Sequence, residues 1–339
     1  MTIRDIAQEA QVSVSSVSRY LHSPGMLRPE MQKRIREVIE LHNYRPSHLA
    51  VSMRTRQTRN IALIIPSLTN LYYLDLYGMI RSVILKRGYR VGLYTTEKDS
   101  EALKKCLDQL PQQHYDGVII AFLDEADSQR MLLRTQKKIP MVLITSDPAQ
   151  EQINNIFLDA RNAMYTATAH LISLGRHKLS FVGGSPDSVI AAEKYKGFLD
   201  ALTENGLTVK NENFFNGQRQ HFSTGIDAIE AFRAQGIVTD GIVCTTDDIG
   251  IGCIKQLLHY QVDIPEETAV VSMNNISMLQ SYEPELTTIA QPLDKISEAA
   301  VNLLMENIQN KDTEKQRIVF QGHLIVRSSS VAGACFQDM

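Results

Sequence analysis

Apolar positions recur with helical spacing at the start of the chain. Ile3, Ile6, Ala7 and Ala10 fall at i, i+3, i+4 and i+7, one stripe that predicts a first helix. Gln11 and Val12 predict a short turn, and Ser13 stands where a helix N-cap belongs. A second helix is predicted from about Val14 to Leu21. Val17 and Leu21, four apart, share its buried side, and Ser15, Ser18, Arg19 and His22 fall on the opposite face. A third helix starts near Pro29, with Met31, Ile35, Val38 and Ile39 along one face. Asn43 and Tyr44 end it, and Pro46 forbids continuation. Residues 47–55 have helical composition but are too short to hold a helix alone.

From Asn60 the pattern changes. Short apolar runs (IALIIP, VGLYTT, GVIIAF, MVLITS) alternate with amphipathic helical stretches. A second round follows, with LSFVGG, GIVCTT and AVVSMN as its apolar runs. Such βαβ repetition predicts parallel sheets covered by helices, and two rounds predict two similar α/β lobes.

Charge sharpens this division. The 339-residue chain carries a net charge of −3, but residues 1–59 hold ten Lys/Arg against five Asp/Glu, a net +5, and the remainder is −8. A basic head on an acidic body suits phosphate binding by the head alone. The second helix, short, with small polar residues and one Arg outward, suits the major groove of double-stranded DNA. Arg19 can pair bidentately with guanine, Val14 can touch a thymine methyl, and Ser13, Ser16 and Ser18 are short donors for phosphates.

Other classes find little support. No P-loop, GxSxG or HExxH appears, and Asp247–Asp248 is an acidic pair without a positioned base, so no enzyme is expected. Cys106, Cys244, Cys253 and Cys335 show no metal-ligand spacing, and neither metal nor cofactor is expected. No apolar run approaches the ~20 residues of a membrane helix. The chain opens directly into its first helix without an apolar signal core, which points to the cytoplasm.

The string VSVSSVSRYL closely resembles the recognition helix of the lactose/galactose repressor (LacI/GalR) family of transcriptional regulators. HNYRPSHLA is similar to that family's hinge, and NIALIIPSLTNLYY to the first strand and pocket loop of its regulatory core. LISLGRHKLSFVGG, KGFLDAL, PELTTIAQP and LIVRSSS match later landmarks in the right order. The resemblance implies an all-α helix-turn-helix domain with its hinge (1–59, hinge helix about 47–55). It also implies an α/β two-lobed, periplasmic-binding-protein-like core (60–339) with three crossovers. Lobe 1 would span about 60–160 and 291–318, and lobe 2 about 161–290 and 319–339. The implied function is a sequence-specific regulator, expected to be a repressor. It would bind a palindromic operator as a homodimer, or as a tetramer, under control of a small sugar- or nucleoside-like metabolite. Two alternatives stay open: a regulator answering to a protein partner, and a solute-binding protein.

By this resemblance Val14 and Ser15 choose the operator and Arg19 contacts base edges. Met53 holds the register of the hinge Leu that prises open a central base step, and Met is one of the residues able to act as such a wedge. The chain departs from the family at Gln11 (usually Gly), Arg28 (usually a Ser cap), Ser47 and Val51 (usually Asn and Arg) and Met53 itself. In the cleft, Asn70, Tyr72 and Tyr73 in the loop 67–73 match pocket positions. Lys194 stands for an anchoring Arg, Asp247 for a ligand-contacting Asp, and Phe222 for a stacking aromatic. Gln291 lies at a crossover, and Asn274–Asn275 replace a usual Asp pair. Doubly wound sheets bind ligands there, at the carboxyl ends of their strands.

Overall fold

The protein is described by a computed structural model covering residues 2–44, 57–97, 99–121, 128–145, 152–183, 188–208, 211–217, 221–310 and 314–334. Its contacts divide into two compact units, Met1–Arg59 and Asn60–Met339.

Among its described residues the first unit has three α-helices: α1 (Ile3–Glu9), α2 (Val14–His22) and α3 (Pro29–Leu41). Thr2 and Asp5 form a reciprocal capping box on α1. Ser13 caps α2, its Oγ accepting from the Ser16 amide at 3.1 Å. The tight turn between them holds Gln11 at φ 52°, a left-handed conformation that glycine adopts more cheaply. Arg28 gives α3 no side-chain cap, and Pro29 occupies the first helical turn instead. Ile6, Ala7, Ala10, Val17 and Ile35 form the core, flanked by Met31, Val38 and Ile39. The predicted apolar faces are thus the packed ones. Ser47, Val51 and Met53 lie outside the described residues.

The second unit starts with a sheet of β1 (Asn60–Ile65), β2 (Arg90–Thr95), β3 (Gly117–Ala121), β4 (Met141–Thr145) and β5 (Asn154–Leu158). Helices α4 (Leu71–Lys86), α5 (Ser100–Gln109) and α6 (Ser128–Gln136) connect its strands. The chain then enters a second sheet of β6 (Leu179–Gly183), β7 (Phe214–Asn216), β8 (Gly241–Cys244), β9 (Ala269–Asn274) and β10 (Thr287–Ala290). This sheet has α7 (Ala160–Ser173), α8 (Val189–Glu204), α9 (Phe222–Ala234) and α10 (Asp247–His259). It returns through α11 (Leu293–Gln309) to β11 (Arg317–Phe320) on the first sheet, and crosses again to β12 (His323–Ile325) on the second. The strand orders are β11-β5-β4-β3-β1-β2 and β12-β10-β9-β8-β6-β7. Among the described residues every pairing is parallel except β10 with β12, where Ile289 opposes Leu324, so the second sheet is not purely parallel as the repeat predicted. A last strand entering by a short crossover, with no helix to reverse it, arrives in the opposite sense.

Both faces of each sheet are covered, so the strands read as continuous apolar runs. Ile61, Leu63 and Ile65 pack with Leu76, Ile80 and Leu304 on one face, and Ala62 and Ile64 with Leu103 and Leu107 on the other. In the second lobe α9 and α10 cross at glycines: a Cβ on Gly252 would stand 1.9 Å from the Phe222 carbonyl oxygen. Among the described residues no helix is long and apolar enough to cross a membrane.

Candidate nucleic-acid interface and effector cleft

Helix α2 buries Val17 completely and turns Val14, Ser15 and Arg19 outward, with Val14 43% exposed. An exposed valine at a helix start is available to a thymine methyl, which a half-buried one would not be. Ser13 Oγ lies 2.7 Å from Ser15 Oγ and 2.8 Å from Ser16 Oγ. The hydroxyls thus satisfy one another and can be re-aimed at phosphates. Ser18 is half-buried beside Arg19, and His22 is the last residue of the helix.

Between the two sheets, at the carboxyl ends of their strands, lies a cleft enclosing about 690 Å3 open to solvent. Asn70, Tyr72, Tyr73, Lys194, Asn274 and Gln291 all line it. Tyr72 and Tyr73 belong to the first turn of α4 rather than to a loop. Asn70 caps that helix, its Oδ1 accepting from the Tyr72 amide at 3.0 Å. The two rings meet edge to face at 5.1 Å. Tyr72 Oη donates to Gln291 Oε1 (2.8 Å), and Gln291 Nε2 donates to Asn274 Oδ1 (2.7 Å). One relay therefore runs from the first lobe through the crossover to the second. Burial pushes the Tyr72 phenol well above its ordinary pKa, so it acts as a neutral donor. Lys194, 5% exposed, donates from Nζ to the Thr245 carbonyl at 2.7 Å. On the rim, Asp75 of α4 accepts from both the amide and the hydroxyl of Ser277, each at 2.9 Å, a second bridge between lobes.

Residues 2–47 match the lacI family of bacterial regulatory proteins, and residues 168–330 match a periplasmic binding protein-like domain. The HTH-type transcriptional repressor PurR of Aliivibrio fischeri is 28% identical over 330 residues, 97% of this chain and 98% of the relative. Catabolite control protein A of Staphylococcus epidermidis is 26% identical over 331 residues, 97% of this chain and 99% of the relative. The Lac repressor bound to ONPG in its repressed state superposes with a TM-score of 0.87 at 22% identity, covering 97% of this chain and 99% of that one. The chain belongs to the LacI family. It is a DNA-binding regulator of transcription, and these curated relatives are regulators rather than enzymes.

Two residues expected in the cleft of this LacI-family regulator are not among its lining side chains. Phe222 opens α9, and the Lys255 ammonium stands over its ring at 5.1 Å. Asp247 is the first residue of α10, wholly buried behind the cleft. Its Oδ1 accepts from Ser272 Oγ (2.5 Å) and Thr288 Oγ1 (2.6 Å), and its Oδ2 from the Ile276 amide (2.8 Å). Burial raises its pKa against these three donors and the nearby Arg327 charge. Arg327, 1% exposed, holds the Leu286 carbonyl and Asn275 Oδ1, both at 2.7 Å. Of the Asn pair, Asn274 faces the cleft and Asn275 is tied to this network behind it.

Thr145, Phe157, Ile190, Thr246 and Met273, which no motif in the sequence marks, also line the cleft. Thr145 closes β4, Met273 is the penultimate residue of β9 and Thr246 stands two residues past β8, so the rule that ligands bind at carboxyl ends could have named them. Thr246 is 2% exposed, and its hydroxyl has no hydrogen-bond partner among the described residues. A buried polar atom left so at a cleft wall is a group for a ligand to meet.

Asp248 shows the cost of its surroundings. Burial, and then the Asp247 charge, lift its carboxyl from 3.8 to about 6. The unfolded chain ionises this group near its ordinary pKa, and the folded chain only near the raised one. Folding therefore loses stability as pH rises through that window. Asp248→Asn should stabilise the core by about 1–2 kcal/mol at pH 7.5, allowing for partial solvent exposure, with the gain fading towards pH 4. Urea midpoints at the two pH values check this; an equal shift at both would remove the electrostatic explanation.

Proposed function

We propose that this chain is an effector-gated repressor that binds a palindromic operator as a homodimer and responds to a small metabolite in the inter-lobe cleft. The observation that carries the reading is the Tyr72–Gln291–Asn274 relay, which ties both lobes together at the lining of the cleft. A molecule entering the cleft must make, replace or break these bonds, and so acts on lobe closure. Structures with this fold include a CelR–cellobiose complex, a regulator with bound ribose and a Lac repressor dimer bound to operator. They support a ligand of sugar or nucleoside size and a paired assembly. One recognition helix spans only a few base pairs, so affinity and specificity call for two, related by a two-fold axis. Leu74 and Leu85 on α4 are exposed, and Met278, beside the Asp75–Ser277 bridge, adds apolar surface for a second copy.

Reciprocal linkage tests the reading. A metabolite that shifts operator affinity must itself bind with an affinity shifted by the same factor on the operator complex, typically 5–150-fold. An operator is first obtained by selecting bound sites from random DNA. Isothermal titration of a metabolite hit is then run with and without that operator. Equal affinities in the two titrations would leave a passive pocket and remove effector control.

A further inference from the structure

We infer that Asp75 is a positioning residue for lobe closure, a latch that holds the two lobes together at the rim and is coupled to the cleft lining through residues Asn274 to Ser277. This rests on lobe closure being what the effector controls, and names the part that carries it. Ser277 opens a short helix, Ser277–Ser281, that follows Ile276. Isoleucine has no acceptor, so Ile276 gives this helix no side-chain cap. The cap comes from the other lobe. Asp75 Oδ2 takes the Ser277 amide and Oδ1 the Ser277 hydroxyl, each at 2.9 Å, across 202 residues of chain. A carboxylate accepts both at once, and charge-assisted bonds of this kind are the stronger ones. Leu71 and Tyr72, one turn earlier on α4, pack against the core of the second lobe, so the start of α4 is a seam between the lobes.

Successive residues lead from this cap to the cleft, each tied to a different element. The Ile276 amide donates to Asp247 on α10, and the Asn275 amide to Thr288 on β10. The Asn275 side chain takes Arg327, and the Asn274 side chain, at the cleft, takes Gln291. Asn274 and Asn275 stand at φ 132° and 59°, where L-residues are uncommon and Asn is tolerated better than most. Such backbone persists only where its surroundings over-determine it, and it clusters at ligand clamps and switch regions. Here the bonds of these four residues supply that constraint. They also close a circuit. Gln291, bonded to Asn274, accepts from Tyr72, and Tyr72 lies three residues before Asp75 on the same side of α4. A molecule that shifts Asn274 or Gln291 in the cleft therefore loads the Asp75–Ser277 bonds from both ends.

The test compares the full-length wild type with Asp75→Ala, Ser277→Ala and the double variant. Amide hydrogen exchange is read by mass spectrometry and the radius of gyration by X-ray scattering. Asp75→Ala should raise exchange about tenfold at residues 276–279 and also around Gln291, whose own bonds the substitution leaves in place. The radius should grow, and the urea midpoint should stay close to wild type, because the lost bonds lie at the rim. Ser277→Ala keeps the amide bond and should show a smaller effect of the same pattern. The double variant should match Asp75→Ala, since both changes remove the same bonds. Exchange raised only at 276–279 with the radius unchanged would make Asp75 a local cap and overturn the inference. So would additive effects of the two substitutions, or a fall in urea midpoint that accounts for the faster exchange. Ser277→Ala, which loses one exposed hydroxyl, decides the matter if Asp75→Ala does not fold. Affinity for the selected operator, measured on the same proteins, should change with the latch. Opening that leaves it unchanged would sink effector gating while the latch stands.

Discussion

Asp247→Ala is expected to destabilise the core by about 3–5 kcal/mol, the range for removing one partner of a buried charge network. The expectation follows from what the carboxylate holds. Ser272 and Thr288 on neighbouring strands both donate to Oδ1, and the Ile276 amide to Oδ2. Truncation strands all three donors in a site closed to solvent, where Asp247 is 0% exposed. It also strips the nearby acid from Arg327, whose buried guanidinium keeps the Leu286 carbonyl and Asn275 in place. Asp247→Asn preserves shape and one acceptor and should cost less, because its NH2 replaces only one oxygen. Urea unfolding followed on the core transition measures both. If Asp247 were chiefly a ligand contact, Asp247→Ala would leave stability within about 1 kcal/mol of wild type, as surface substitutions do, and affect only ligand affinity.

Asp247 also marks how far the sequence carries. Its position at the end of an apolar run was legible, and so was a ligand site at such strand ends. Its partners lie 25, 41 and 29 residues away in the chain, and no local pattern joins them. The Tyr72–Gln291 bond spans 219 residues and was equally hidden. What was legible followed from period and punctuation. The spacing of Ile3, Ile6, Ala7 and Ala10 gave α1, and Ser13 gave the start of α2. Strands β1, β3 and β4 are uninterrupted apolar runs buried on both faces. Strand β5 escaped notice because it opens with Asn154 and Asn155, polar residues that are buried. Asn154 Oδ1 takes the Gln316 amide at 2.7 Å beside β11, a contact that only the return of the chain supplies. Helices α4 and α10 begin at Leu71 and Asp247, ahead of their amphipathic stretches, because their first turns face the cleft and its buried network instead of following a core stripe.

Removal of residues 1–59 is expected to abolish retention on DNA, and Arg19→Ala within the intact chain should lower affinity for the selected operator by about 1–3 kcal/mol. Residues 60–339 form a compact unit of their own and carry the acidic balance of the chain, so the truncated protein keeps its cleft while losing the net +5 of the head. Electrostatic attraction to phosphates supplies essentially all non-specific binding, and losing it should remove retention on any sequence. Arg19 is a narrower case. It stands exposed on α2, two residues past the buried Val17, on the face that also presents Val14 and Ser15. A guanidinium so placed can pair with the O6 and N7 of guanine and discriminate at one base pair. A phosphate contact would weaken all sequences alike and lower the salt dependence by about one ion. Binding to the operator, to operators substituted at single positions and to random DNA, over a range of salt, separates the two roles. Relaxed preference at one position with little change on random DNA supports base reading. Uniform weakening would make Arg19 a phosphate anchor and leave Val14 and Ser15 to choose the site.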